Sequence, residues 1–444
     1  MALESKIRIL VIDSGGGYGG PGAFLCYLLK DLNKKKFQPF AAFYLEHVAP
    51  ETEALRTLGV PVFFLSRNHT LANYLQFKLL SRRSRLTWLH LTKVAIRHLS
   101  QLVFIQIVQL CRLLKILKQA RIDVIVLNND VHFHIVGALA ARMTGIPCLC
   151  RKAGGIGEGK RVKRILTSWI DLFIAVSEAT RRDQFENNPL TKRIVTIHEG
   201  IDLDRFNPSA IHLEIRAELG IPAGKKVVGY ISRLVEGKGH NEFIDAAASV
   251  TKRYKDVVFL IVGDDKTDKE GKLMRGLRSK ASTLGLTDNL VFAGWRTDIP
   301  QILSIIDVFV HCPTTWIEGL GIAHLEAMAM GKPTVVSENG GLPDAAVDGV
   351  TGFIVPAGDI EKLSTAILRL LVAPDLAVSL GRNARQRVEE LFDAKRNTRK
   401  LELLFEEYAL RYQARSRNQP EVRSTHEDLL REIELSARRF SDTP

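Results

Sequence analysis

Acidic residues are missing from one long stretch of this 444-residue chain: from Ala54 to Ile122 there is no Asp or Glu. The same stretch holds Arg56, Arg67, Lys78, Arg82, Arg83, Arg85, Lys93, Arg97, Arg112, Lys115, Lys118 and Arg121. These residues carry nearly all of the +13 net charge, so the rest of the chain is close to neutral. A basic block of this kind faces something anionic or lies in solvent. Cysteine is scarce too. Cys26, Cys111, Cys148, Cys150 and Cys312 show no metal-site spacing and read as reduced thiols of a cytosolic protein. Cys148 and Cys150, one residue apart, are expected on opposite faces of one strand. No window reaches about 18 apolar residues without charge, so no transmembrane helix is expected. The opening "MALESKIRILVIDSGGG" enters a strand with no long apolar h-region, so no signal peptide is expected either. Internal repeats of solenoid period are absent.

What is present is two successive α/β patterns. The length suits two domains of about 200 residues each. "IRILVID" (7–13), "FQPFAAFYL" (37–45), "VPVFFL" (60–65), "DVIVLN" (123–128), "IPCLCRKA" (146–153), "DLFIAVS" (171–177) and "RIVTIHEG" (193–200) read as strands. A linker follows, and then "VVGYISR" (227–233), "VVFLIVGDD" (257–265), "LVFAGW" (290–295), "VFVHC" (308–312), "PTVVS" (333–337) and "GFIVP" (352–356). Strands alternating with helices predict parallel sheets covered on both faces. Residues 384–412 read as a long polar helix with a break near Asp393. A capping box from Ser424 to Glu427 opens a final amphipathic helix.

Ligands of open parallel sheets bind beyond the C-terminal ends of strands. Arg233 and Lys238 follow one such strand, and together they suit a phosphate or diphosphate. Glu318 and the turn "EGLGI" follow another, where Gly319 and Gly321 let the backbone approach an anion. A carboxylate beside phosphate is repulsive. Glu318 and Glu326 therefore make sense as acceptors of hydrogen bonds from hydroxyls, and a ligand with both groups is a sugar nucleotide. Each residue also has a plainer reading: a helix-terminal acid for Glu318, a salt-bridged side chain for Glu326, surface charges for Arg233 and Lys238.

At this point the chain resembles the family-4 retaining glycosyltransferases, whose mark is two glutamates separated by seven residues, here Glu318 and Glu326 in "EGLGIAHLEAMAMGKP". "SRLVEGKG", "VSEATRRDQF", "IHEGIDLDRFNP", "LVFAGW", "ENGGLPDAAVDGVTGFIVPAGD" and the N-terminal glycine loop match that family in order, over about 7–65 and 120–390. The resemblance implies the GT-B fold: two Rossmann-like parallel-sheet domains facing a central cleft. The first would span 1–207, with a basic amphipathic helical insertion at 68–120, and would take the acceptor. The second would span 208–390 and take the donor, and 391–444 would form C-terminal helices that partly return to the first. It implies that Arg233 and Lys238 hold the donor diphosphate and stabilise the leaving group, and that Glu318 contacts the donor sugar. The amides of Gly319, Leu320, Gly321 and Ile322 would lie nearby. Glu326 would take the ribose, and Gly16 and Gly17 would approach the diphosphate. The donor would be a UDP- or GDP-sugar, with no metal and no other cofactor. Ser232, Glu199 and Asp344 depart from the usual family residues glycine, asparagine and glutamate.

On the acceptor side, Asp130 and His132 follow the strand "DVIVLN" and could orient or deprotonate a hydroxyl. The plainer reading makes Asp130 a helix cap and His132 a surface histidine. His311 reads as a satisfied strand histidine. The segment 68–120 alternates apolar and basic residues at helical spacing, which fits a helix lying on an anionic bilayer or packed on the first domain. No nucleic-acid motif is present. Together these readings suggest a glycan or lipid-linked acceptor at the cytoplasmic face of the membrane. The rivals are another GT-B sugar-nucleotide enzyme (an epimerase or a sugar-phosphate synthase) and an inactive membrane-associated binding protein.

Overall fold

The structure, a computed structural model, describes residues 6–14, 20–46, 50–66, 88–152, 165–187, 193–209, 212–264 and 271–416, with backbone alone for 50, 88–102, 184–187 and 416. Gly16, Gly17, residues 68–87 and the expected helix from Ser424 lie outside the described residues.

Runs of Ile, Val and Leu without alternation form strands buried on both faces. Seven of them make one parallel sheet: β1 (Ile7–Asp13), β2 (Phe37–Phe43), β3 (Val62–Phe64), β4 (Val124–Asn128), β5 (Cys148–Lys152), β6 (Leu172–Ala175) and β7 (Ile194–Thr196). Their order is β3-β2-β1-β4-β5-β6-β7. A second parallel sheet contains β8 (Lys226–Ile231), β9 (Val257–Val262), β10 (Leu290–Gly294), β11 (Val308–His311), β12 (Thr334–Ser337) and β13 (Gly352–Val355), in the order β10-β9-β8-β11-β12-β13. The direction of winding reverses between β1 and β4 in the first sheet and between β8 and β11 in the second. Such switch points open a crevice at the strands' C-terminal ends. Both sheets are Rossmann-like, as expected.

The chain divides into two compact units. Among the described residues, one comprises those up to Ala175, Gln184–Ile197 and 398–416; the other comprises Val176–Asp183 and His198–Asn397. The expected break near Asp393 is present: one helix spans Pro374–Leu391 and the next Ala394–Ser416. Leu401, Leu404, Phe405, Tyr408 and Ala409 of the latter are buried in the core of the first unit. There Phe405 meets Phe37 edge-on, with ring centroids 6.4 Å apart.

Residues 88–120 of the basic segment form one helix, Trp88–Ala120, about 50 Å long at 1.5 Å per residue. Its C-terminal part is anchored. Leu113 and Leu117 are buried, and Arg112 donates to the Leu65 carbonyl at 3.0 Å. Further toward its N-terminus Val103, Phe104 and Ile107 are exposed, Phe104 at 67%.

One expectation fails. Cys148 and Cys150 do not point to opposite faces; both are buried in the same core cluster beside Ile125 and Leu127. The reason is elementary: side chains of a strand alternate with period two, so residues i and i+2 share a face.

Candidate active site

The second unit brings three expected residues to the ends of the two strands that flank its switch point. Arg233 and Lys238 lie in the loop from β8 to the helix His240–Arg253, and Glu318 lies in the loop from β11 to the helix Ile322–Ala329. Two glycines let these loops touch. A Cβ on Gly239, at φ +91°, would sit 1.8 Å from the Cys312 carbonyl oxygen. One on Gly237, at φ +81°, would meet Thr315 and the Trp316 amide. With no side chain in the way, the Thr314 amide donates to the Gly237 carbonyl at 2.8 Å.

Lys238 is buried, and its ammonium donates to Glu318 Oε1. The same oxygen lies 3.0 Å from His311 Nε2. Burial alone pushes the Glu318 carboxyl up. The hydrogen bond and electrostatic pull of His311, together with Lys238, outweigh that and hold it at about 2. Burial lowers the Lys238 ammonium from its ordinary value, and Glu318 offsets part of this. The carboxylate is therefore ionised throughout the neutral range. Its backbone is fixed as well: the Glu318 amide donates to Asn339 Oδ1 at 3.1 Å, and Asn339 Nδ2 donates to the Thr314 carbonyl at 2.9 Å. Trp316 lies over both cations, its ring centroid 5.2 Å from the Arg233 guanidinium carbon and 4.9 Å from Lys238 Nζ.

Gly319, Leu320, Gly321 and Ile322 lead into the helix Ile322–Ala329, where first-turn amides have no intrahelical acceptor and aim at whatever lies before the helix. Glu326 is half-buried one turn further along. Burial pushes its carboxyl up to about 7, against the pull of Arg205. Arg205 also lines a cavity of about 310 Å³ with Asn207, His212, Thr297, Asp298, Pro300, Gln301 and Met330. None of the expected donor residues lines that cavity.

In the first unit the residues at the strand ends form two buried polar groups. Asp13, Asn128 and Arg151 occupy one cross-strand row of β1, β4 and β5. Asn128 donates to Asp13 and accepts from Arg151 Nη1 at 2.9 Å. The Arg151 guanidinium also lies 4.0 Å from the centroid of the Phe24 ring. Burial draws this guanidinium down to about 9, with Asp13 opposing. Beside this row, Asp130 accepts from Lys152 Nζ at 2.7 Å and lies 3.1 Å from His132 Nδ1. Asp130 also caps the short 3₁₀ helix Val131–His134, as its plainer reading expects.

Comparison with known proteins decides what this arrangement belongs to. The profile of the family described as "Glycosyl transferases group 1" matches residues 212–387, and that of "Glycosyltransferase Family 4" matches 46–205. The chain is 30% identical over 322 residues to the UDP-Gal:alpha-D-GlcNAc-diphosphoundecaprenol alpha-1,3-galactosyltransferase of Escherichia coli, covering 67% of this chain and 78% of that one. The chain belongs to this glycosyltransferase family. A GDP-mannose-dependent alpha-(1-6)-phosphatidylinositol monomannoside mannosyltransferase of Mycolicibacterium smegmatis is 34% identical over 190 residues, 41% of this glycosyltransferase and 48% of the relative. The chain thus spans about half the length of that mannosyltransferase. Among solved structures, a glycosyltransferase from Rickettsia africae superposes with a TM-score of 0.75 at 18% identity, over 91% of this chain and 98% of that one. Anabaena Alr3699/HepE in complex with UDP-glucose gives 0.73 at 22%, over 90% and 99%. These likenesses show the GT-B fold.

For this glycosyltransferase the sequence reading missed three neighbours of Glu318. His311 was read as a satisfied strand histidine. It does have a partner, but that partner is Glu318, seven residues away, because the loop after β11 folds back over the strand end. Trp316 and Asn339 carried no signal of their own, since each acts through a loop contact that spacing does not reveal.

Proposed function

We propose that this glycosyltransferase is a retaining hexosyltransferase that moves a sugar from a UDP- or GDP-sugar to a hydroxyl of a lipid-linked or envelope-glycan acceptor at the cytoplasmic face of the membrane. The observation that carries the donor reading is the Lys238–Glu318–His311 cluster beside Arg233. It supplies fixed cations for a diphosphate and an ionised carboxylate for sugar hydroxyls, both at a strand-end crevice. In this reading Arg233 and Lys238 bind the diphosphate and stabilise the charge that grows on it as the bond from the sugar's anomeric carbon to the phosphate oxygen breaks. Glu318 and the amides of Gly319–Ile322 orient the sugar, and Glu326 holds the ribose diol. The acceptor oxygen bonds to the anomeric carbon on the face the diphosphate leaves. Its proton passes to the departing phosphate oxygen. Binding places the reactants and lowers the entropic part of the barrier. Gly16 and Gly17 approach the diphosphate, and Asp130 and His132 serve the acceptor.

The membrane part rests on the helix Trp88–Ala120. Its exposed Val103, Phe104 and Ile107 lie within a segment that has basic residues and no acids. Apolar anchors among lysines and arginines suit an anionic bilayer. The acceptors named for the E. coli and M. smegmatis relatives are themselves lipid-linked. A thermal-shift screen against UDP-, GDP- and ADP-sugars tests the donor assignment: stabilisation by one nucleotide class and not the others is expected. Stabilisation by none would sink it.

A further inference from the structure

The ion pair Lys152–Asp130 is nearly sealed from solvent, with Lys152 at 1% and Asp130 at 5% exposure. Burying two charges costs several kcal/mol per ion, and an apolar pair of equal volume is often as stable. Stability is thus a weak reason for the pair. The backbone that presents Asp130 is unusual too. Asn129, the residue before it, sits at φ +112°, one of two non-glycine positions with positive φ among the described residues. Its own side chain bridges the turn: Asn129 Oδ1 accepts from the Asp130 amide at 3.0 Å. Just past this turn, the Asp130 carboxylate meets Lys152, the last residue of β5.

The two carboxylate oxygens of Asp130 have different partners. Oδ2 takes the Lys152 ammonium at 2.7 Å, and Oδ1 lies 3.1 Å from His132 Nδ1. His132 is the outward end of this chain, its side chain 41% exposed, with its ring against Phe133 at 3.9 Å between centroids. Oδ1 also accepts from the His132 backbone amide at 3.4 Å, and its negative charge this close to the ring draws the imidazole proton to the nearer nitrogen, Nδ1.

We infer that Lys152 is a positioning residue: it anchors Asp130, which holds the His132 imidazole protonated on Nδ1 and leaves Nε2 as the acceptor for a substrate hydroxyl. The inference rests on the acceptor-side reading of Asp130 and His132 above and extends it. It gives Lys152 a part that its place inside the sheet did not suggest, and it names the ligand chemistry as a sugar hydroxyl that donates a hydrogen bond. A neutral Nε2 orients that hydroxyl. No covalent step passes through the ring.

The test is nitrogen NMR of the full-length protein with labelled histidine, at a pH where the ring is neutral, with the His132 signals assigned by their loss in His132→Gln. Wild type is expected in the Nδ1-protonated form. Lys152→Met alone leaves a buried carboxylate without its cation and destabilises the unit, so the decisive variant is Asp130→Leu with Lys152→Met, which removes both charges and the acceptor together. That double variant should shift His132 toward the Nε2-protonated form, whereas Lys152→Arg should keep the wild-type form. Methyl glycosides of glucose, galactose, mannose and N-acetylglucosamine, in excess, should move the His132 Nε2 signal in wild type and not in the double variant. A wild-type ring protonated on Nε2, or a double variant indistinguishable from wild type, overturns the anchoring. A signal that no glycoside moves overturns the hydroxyl assignment. Failure of the glycosyltransfer reading would show separately, as a missing thermal shift with sugar nucleotides.

Discussion

Lys238 and Glu318 are bonded to each other, cation to carboxylate, 80 residues apart in sequence and adjacent at the ends of β8 and β11. In the donor reading, this makes binding an exchange. A diphosphate must draw the ammonium of Lys238 away from Glu318, and Glu318 must find sugar hydroxyls in its place. Each of the two groups therefore keeps the other ionised and in position until substrate arrives.

Removing Glu318 or the neighbouring cation Arg233 should be costly for catalysis. Glu318→Ala should abolish transfer. Arg233→Ala, which deletes a charge facing the diphosphate from an exposed position, should lower kcat by about 100-fold or more, equivalent to roughly 3 kcal/mol. Steady-state rates with the donor found by thermal shift measure both. Unchanged turnover in either variant would end the donor-site assignment.

Glu326 sets a pH dependence whose sign follows from its raised pKa. The folded protein binds this proton up to about 7, while the unfolded chain releases it near 4.5. Between those values the native state holds more protons, so stability should fall as pH rises through the window and remain lower above it. Glu326→Gln should remove that fall and stabilise the ligand-free protein above pH 7, by on the order of 3 kcal/mol at most, seen as a higher Tm. It should also weaken nucleotide binding, because an amide is a poorer acceptor for two ribose hydroxyls. Thermal melts from about pH 5 to about pH 8 decide the matter. Parallel curves for wild type and variant would show that Glu326 does not titrate there.

Activity should survive EDTA. The cations that face the diphosphate are side chains, Arg233 and Lys238, and no Asp-x-Asp pair stands beside them in the sequence. Complete loss with chelator, restored by Mn²⁺, would count against the mechanism.

Wild type should co-sediment with phosphatidylglycerol vesicles and not with neutral ones. Reversing Arg82, Arg83 and Arg85 to Glu should weaken that by several kcal/mol at low salt, at about 1 kcal/mol per basic side chain. Salt should weaken wild-type binding too, since the Debye length is about 10 Å at 0.1 M. Phe104→Ser should lose a further roughly 1.5–3 kcal/mol through apolar area alone, and that loss should persist in salt. Equal sedimentation with charged and neutral vesicles would refute the electrostatic part.

The architecture was legible because buried parallel strands write themselves as apolar runs, and the runs "IRILVID", "DVIVLN", "VVFLIV" and "VFVHC" could be counted. Arg233, Lys238 and Glu318 could be picked because strand ends are where chemistry collects. What could not be read was contact between loops. The bond from His311 to Glu318, Trp316 over two cations, and Asn339 under the Glu318 amide all depend on how the segments after β8, β11 and β12 fold together. Lys152 was hidden for a different reason. It closes a strand of buried residues, and nothing in its sequence neighbourhood shows that its partner lies 22 residues earlier. The error over Cys148 and Cys150 was one of parity, not of information.

The edge-on contact of Phe37 with Phe405 has a temporal meaning. A ribosome adding about 5–20 residues per second needs roughly 20–70 seconds to travel from one to the other. During that interval the first sheet exists without the helix that covers one of its faces, and Ile7, Leu25, Phe37 and Val195 await Leu401, Leu404 and Phe405. The second sheet, synthesised entirely within the interval, has its layers complete earlier. Of the two sheets, the one made earlier is thus the one whose covering is completed later.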